Sequence, residues 1–85
     1  MINKLETLKK RLLYRASYRG TKEMDILLGQ FVKKYIDEFN ETYLKELENF
    51  LEFEDEIILN FYQNDIIKKN IDQNKVSKIF KNFKI

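Results

Sequence analysis

The sequence predicts an all-α fold, a compact five-helix bundle. Three observations predict it. Apolar residues recur at three- and four-residue steps along most of the chain, which places them on one face of a helix. No segment alternates strictly, and neither Asn-Gly nor Asp-Gly occurs to turn a hairpin. The chain has no Pro, so nothing forces a kink and the turns must come from Gly, Asn and Asp.

The first helix is expected from about Ile2 to Ala16, with Ile2, Leu5, Leu8 and Leu12 as its stripe. It should stop between Ser17 and Gly20. The second begins at Thr21 or Lys22 and carries Met24, Leu27, Leu28, Phe31, Tyr35 and Phe39, widened by Ile26, Val32 and Ile36. As the most apolar helix it belongs at the centre. Gly29 inside it costs about 1 kcal/mol relative to Ala, which a close helix–helix contact would explain. Asn40 is placed to cap a third helix with Tyr43, Leu44, Leu47, Phe50 and Leu51 facing inward. Glu54 and Asp55 should cap a short fourth helix bearing Ile58, Leu59, Phe61 and Tyr62, their charge suiting its N-terminus. Asn64 and Asp65 mark a turn. A last helix from about Asp72 would bury Val76, Ile79, Phe80 and Phe83, with Lys78, Lys81 and Lys84 at its C-terminal end.

At 85 residues the chain reads as one domain, large enough for a core but not for an elaborate enclosed site. It contains no Cys and no His. That removes zinc-thiolate sites, cysteine nucleophiles and the commonest general base. Ser17 and Ser77 are the two serines, and without His no serine triad can be assembled. With Gly20 and Gly29 as the two glycines, no phosphate loop or dinucleotide fingerprint can be written. The expectation is a protein that is not an enzyme. No apolar run approaches the ~20 residues that span a bilayer, and no export signal is evident, so elimination points to a bacterial cytoplasm.

Charge is segregated. Residues 1–36 hold nine basic and three acidic groups, residues 37–56 one and nine, residues 57–85 six and two. Such a dipolar surface would orient docking onto a protein partner. Equally, helices of opposite sign could lie side by side. The acidic middle argues against nucleic acid as a partner.

The most informative stretch is Lys10-Arg11-Leu12-Leu13-Tyr14, then Tyr18-Arg19-Gly20-Thr21-Lys22-Glu23-Met24-Asp25. Gly20 permits positive φ at the helix junction, and Arg19 offers a planar fork of donors. From spacing alone a plainer reading remains: Gly20 as a turn residue, Glu23 as a first-turn or capping-box acid and Arg19 as a solvated charge.

Taken whole, the stretch resembles the succinate dehydrogenase flavinylation factors, small assembly factors of bacteria and mitochondria whose signature is Arg-Gly-x-x-Glu. Here the signature is Arg19-Gly20-Thr21-Lys22-Glu23. Ile26-Leu27-Leu28 and Phe31 resemble the family's second helix, Asp25 an acid of its bacterial members, and Leu51-Glu52 with Glu54-Asp55 its approach to helix four. The similarity covers residues 8–62 and is most specific over 10–31. Tyr18 stands where a second basic residue is usual, Phe61 where a tryptophan is, and Glu56 where Pro often is.

The resemblance implies a monomeric chaperone that binds the flavoprotein subunit of succinate dehydrogenase, and of fumarate reductase, and promotes covalent FAD attachment there. FAD would belong to the partner and this chain would bind no cofactor stably. Arg19, Gly20 and Glu23 would form the contact surface, with Tyr18, Asp25 and Tyr14 beside them, and Arg19→Ala would weaken binding while leaving the fold intact. The alternative is a generic helical interaction module or a nucleic-acid-binding regulator.

Overall fold

The computed structural model describes residues 4–84. Among them are five α-helices and no strand: α1 Lys4–Ser17, α2 Lys22–Tyr35, α3 Glu41–Leu51, α4 Asp55–Asn64 and α5 Lys75–Lys81, with a 3-10 turn at Ile71–Gln73 before α5. Ile2, expected at the head of the first stripe, lies outside the described residues.

α1 packs against α2 and α3. Leu12 and Ala16 are fully buried, while Leu5 and Leu8 pack at the edge of the core. The junction to α2 is tight. A Cβ added at Gly29 would lie 3.1 Å from Ser17 Oγ, so the glycine does mark a close approach of α1 and α2. Thr21 caps α2, its Oγ1 accepting from Met24 N–H at 3.3 Å.

α2 supplies the centre, as its apolar character predicts. The ring of Phe31 lies 5.0 Å from Phe80, 5.3 Å from Phe83 and 6.4 Å from Phe50. These edge-on arrangements suit aromatic quadrupoles and join α2, α3 and the C-terminal segment. Two expectations need correction. The helix ends at Tyr35 rather than reaching Phe39, because Asn40 must be extended to cap α3. Phe39 is buried from a turn instead, stacked on Tyr35 at 5.8 Å. Ile26, placed on the core stripe, is 45% exposed, because the core takes the face of Met24, Leu27, Leu28 and Phe31 and leaves Ile26 at its rim.

Asn40 Oδ1 accepts from Tyr43 N–H at 2.9 Å, as its position before α3 predicts. Leu44, Leu47, Phe50 and Leu51 are then buried. Glu54 occupies the N-cap of α4, but its side chain makes no capping hydrogen bond. α4 buries Ile57, Ile58 and Phe61 and stops at Asp65, whose φ of 58° is left-handed, a common helix terminus.

The last helix starts later than Asp72. Asp72 sits in the 3-10 turn, and Asn74 is the N-cap of α5. Its Oδ1 accepts from Val76 N–H at 2.8 Å and Ser77 N–H at 2.9 Å, while its Nδ2 donates to the Glu46 carbonyl at 2.9 Å. One amide thus both starts α5 and ties it to α3. Asn74→Ala is expected to cost about 1–2 kcal/mol, the range for a lost cap. Asn74→Asp, which keeps the acceptor, should lose less; urea unfolding measures both. Phe83 is buried from beyond the helix end, and its carbonyl accepts from Tyr62 Oη at 2.6 Å. Lys81 was expected to complement the end of its own helix. Its ammonium instead donates to the Phe61 and Tyr62 carbonyls of α4 and pairs with Asp65, so it answers the C-terminal end of a neighbouring helix.

Candidate functional site

The Arg19–Glu23 signature forms the corner between α1 and α2. Gly20 has φ 120° with nothing within 4 Å of an added Cβ, so its requirement is backbone conformation rather than space. Asp25, one turn into α2, folds back on the corner. Its Oδ1 accepts from the backbone N–H of Arg19 at 2.5 Å and of Gly20 at 3.2 Å. Asp25 therefore fixes the turn. Glu23 is exposed and is a first-turn acid rather than a capping-box one: with Thr21 as N-cap the third helical position is Met24.

Arg19 is not a solvated charge. Its side chain is 12% exposed and reaches across to the α3–α4 turn. Nε donates to Asp55 Oδ1 at 2.8 Å, Nη1 to the Leu51 carbonyl at 2.6 Å and Nη2 to the Phe53 carbonyl at 2.7 Å. The arrangement is electrostatically apt. The guanidinium meets carbonyls left unpaired where α3 ends and a carboxylate in the first turn of α4. A planar fork can serve all three at once, which an ammonium cannot.

This clamp is the last rung of a series. Arg11 pairs with Glu48 at 3.2 Å, Arg15 with Glu52 at 2.9 Å, and Arg19 with Asp55. The arginines are spaced by four along α1 and its extension, and the acids follow α3 into α4. Opposite charge blocks thus lie side by side, the second of the two arrangements that segregation allowed. The outer rungs are more exposed than the Arg19 clamp and contribute little individually, roughly 0.2–1 kcal/mol each.

Tyr14 and Tyr18, one turn apart, face outward with 65% and 68% exposure. Their rings contact each other at 4.6 Å. Beside them opens a groove of about 530 Å³, lined by Tyr14, Tyr18 and Arg19 from the α1 side of the chain and by Leu51, Phe53 and Glu54 from the α3–α4 turn. Three of the six expected residues, Tyr14, Tyr18 and Arg19, line this groove; Gly20 and Asp25 form the adjoining corner, and Glu23 lies apart, beside Ile26, Leu27, Tyr62 and Gln63. Four present themselves to solvent: Tyr14, Tyr18, Gly20 and Glu23. Arg19 and Asp25 are turned to internal work. Sequence reasoning missed the involvement of Leu51, Phe53 and Glu54 in lining the groove. The matched four-residue spacing of Arg11, Arg15 and Arg19 against Glu48 and Glu52 was the available signal.

Among the described residues no group of three or more Asp, Glu, His or Cys could hold a metal ion, and no helix is long and apolar enough to cross a membrane.

Comparison with known proteins agrees with the corner's signature. The family described as flavinator of succinate dehydrogenase matches residues 10–84, which extends the similarity through α5. The mitochondrial succinate dehydrogenase assembly factor 2 of Scheffersomyces stipitis is 42% identical over 48 residues, 56% of this chain and 32% of the relative. The FAD assembly factor SdhE of Acetobacter pasteurianus is 45% identical over 47 residues, 55% of this chain and 43% of the relative. The mitochondrial assembly factor 2 of Dictyostelium discoideum is 37% identical over 68 residues, 80% and 45% respectively. The chain thus spans less than half the length of these curated relatives. No solved structure matches it significantly.

The relatives correct one expectation. Bacterial cytoplasm was reached by elimination, yet yeast and Dictyostelium relatives are mitochondrial and a bacterial one matches as well. Nothing in the composition distinguishes one compartment from another, so elimination had no power to choose. With a match over residues 10–84 that includes the Arg19-Gly20-Thr21-Lys22-Glu23 corner, the chain belongs to the succinate dehydrogenase flavinator family.

Proposed function

We propose that this chain is a non-catalytic assembly factor that binds the flavoprotein subunit of succinate dehydrogenase and promotes covalent attachment of FAD to it. The observation that carries the proposal is the Arg19–Glu23 corner, ordered by its own hydrogen bonds within a chain of the flavinator family. FAD and its attachment site belong to the partner, since this chain has neither His nor Cys to serve in the usual way. The factor acts as one helical unit and as a monomer. It favours a partner conformation competent for flavinylation, an effect that requires tighter binding to that conformation than to others. The flavoprotein of fumarate reductase is a second substrate of the same kind. Pairing of Arg11, Arg15 and Arg19 with carboxylates supports a protein partner over nucleic acid, because those cations are already neutralised.

The contact surface we assign is Tyr14, Tyr18, Gly20 and Glu23, with Arg19 and Asp25 holding it in shape. The test is to produce the flavoprotein with and without this chain and read its covalent flavin by in-gel fluorescence. A gain is expected with the wild-type chain. Gly20→Arg should abolish it by placing a bulky cation, in strained backbone, on the contact surface. Glu23→Ala should weaken partner binding about tenfold, the loss of one buried charged contact. No gain from a folded wild-type chain would refute the proposal.

A further inference from the structure

The groove lined by the tyrosine pair and the α3–α4 turn has a charge pattern that selects its occupant. Four of its charged residues cancel in pairs, Arg15 with Glu52 and Arg19 with Asp55. Glu54 remains. Its side chain caps nothing, and among the described residues it is in no ion pair. The same groove is lined by the exposed rings of Tyr14 and Tyr18, whose faces carry the negative side of the ring quadrupole and attract cations.

We propose that this groove receives an arginine side chain of the protein partner, its guanidinium stacked on the tyrosines and its donors directed to Glu54. The identification of that partner as the flavoprotein rests on the function proposed above; the preference for an arginine does not. A carboxylate or phosphate would face Glu54 and electron-rich rings. A neutral apolar side chain would leave the Glu54 charge partly desolvated without a partner. Lysine could answer the charge, but a planar guanidinium also stacks and donates in a fork. The positive end of α4 does not oppose the cation, because Glu54, Asp55 and Glu56 already cluster there.

Arg19 acquires a second consequence. By gripping the Leu51 and Phe53 carbonyls it fixes the α3–α4 turn against the α1 side of the groove, which makes it a positioning residue for the site.

The experiment titrates the isotopically labelled chain with N-acetylarginine methylamide and, separately, with its neutral isostere N-acetylcitrulline methylamide, following the ring signals of Tyr14 and Tyr18 by NMR. Saturable shifts are expected with the arginine compound, with affinity at least about fivefold weaker for the citrulline compound and for Glu54→Gln, the scale of one exposed charge–aromatic contact. Equal response to both compounds, no response to either, or an unaltered response in Glu54→Gln overturns the proposal. The same variant is then measured against the flavoprotein, where about tenfold weaker binding is expected. If the arginine compound behaves as expected but the flavoprotein does not bind the wild-type chain, the groove's preference stands and the proposed function fails. If the flavoprotein binds wild type and Glu54→Gln equally, the function stands and the groove assignment falls.

Discussion

Phe31→Ala is expected to cost about 3–5 kcal/mol, the range for removing a fully buried aromatic side chain. Phe31 has no exposed surface and its ring meets those of Tyr35, Phe50, Phe80 and Phe83. No single neighbour can collapse into the space, because those partners come from α2, α3 and α5 with the segment after it and are each held by their own helices or turns. A domain of this size has total stability of only about 4–13 kcal/mol, so the variant should be largely unfolded well below the wild-type transition. Urea unfolding at 25 °C measures the difference. Phe31→Leu should cost roughly half as much or less, since most of the volume is kept. A Phe31→Ala cost below about 1 kcal/mol would mean that this ring does not hold the bundle's centre.

Arg19→Ala is expected to destabilise by about 2–4 kcal/mol. The substitution removes three charge-assisted hydrogen bonds, each worth more than a neutral one. It also leaves the Leu51 and Phe53 carbonyls and the Asp55 carboxylate without their donor. Asp55 is 30% exposed, so water re-solvates part of what is lost and the upper end is a ceiling. Arg19→Lys should recover only part, because one ammonium cannot reach three acceptors in a plane. The expectation from the signature alone, an intact fold with weakened binding, is thereby revised. Loss of flavinylation in Arg19→Ala would mix a folding effect with a binding effect. Glu23 and Glu54 carry no such internal duty, so their variants separate contact from architecture. Thermal unfolding of Arg19→Ala within about 2 °C of wild type would remove the clamp from the account.

The two variants act on opposite ends of the same design. Phe31 joins α2 to α3 and the C-terminal segment, where burial of apolar area dominates. Arg19 joins the α1–α2 corner to the α3–α4 turn, where polar backbone at helix ends must find partners. The contact surface proposed above sits at the second of these. Its shape therefore depends on directional hydrogen bonds more than on packing, which is why a signature of so few residues can define it.

Periodicity and composition were enough for the helical class, the inward faces of α1 to α4 and the Asn40 cap of α3, but not for the caps of α4 and α5. A 3.6-residue period records which side of a helix is buried, and Asn40 caps α3 through a residue three positions away. Composition also determined what chemistry the chain lacks, because His and Cys are absent from it. Tertiary structure decided the rest. Arg19 and Asp55 are 36 residues apart, and no local pattern states that they meet. Ile26 matched the stripe's composition but found no neighbour to cover it, since burial needs a second surface as well as an apolar side chain. Asn74 could be taken for an ordinary polar residue until α3 placed the Glu46 carbonyl beside its amide. The charge blocks were legible, but whether they would face a partner or each other depended on helix order in space, and the packing of α1 and its extension along α3 and the start of α4 settled it through three ion pairs. Local periodicity encodes elements; the contacts that close the groove arise only when elements distant in sequence are brought within a few ångströms.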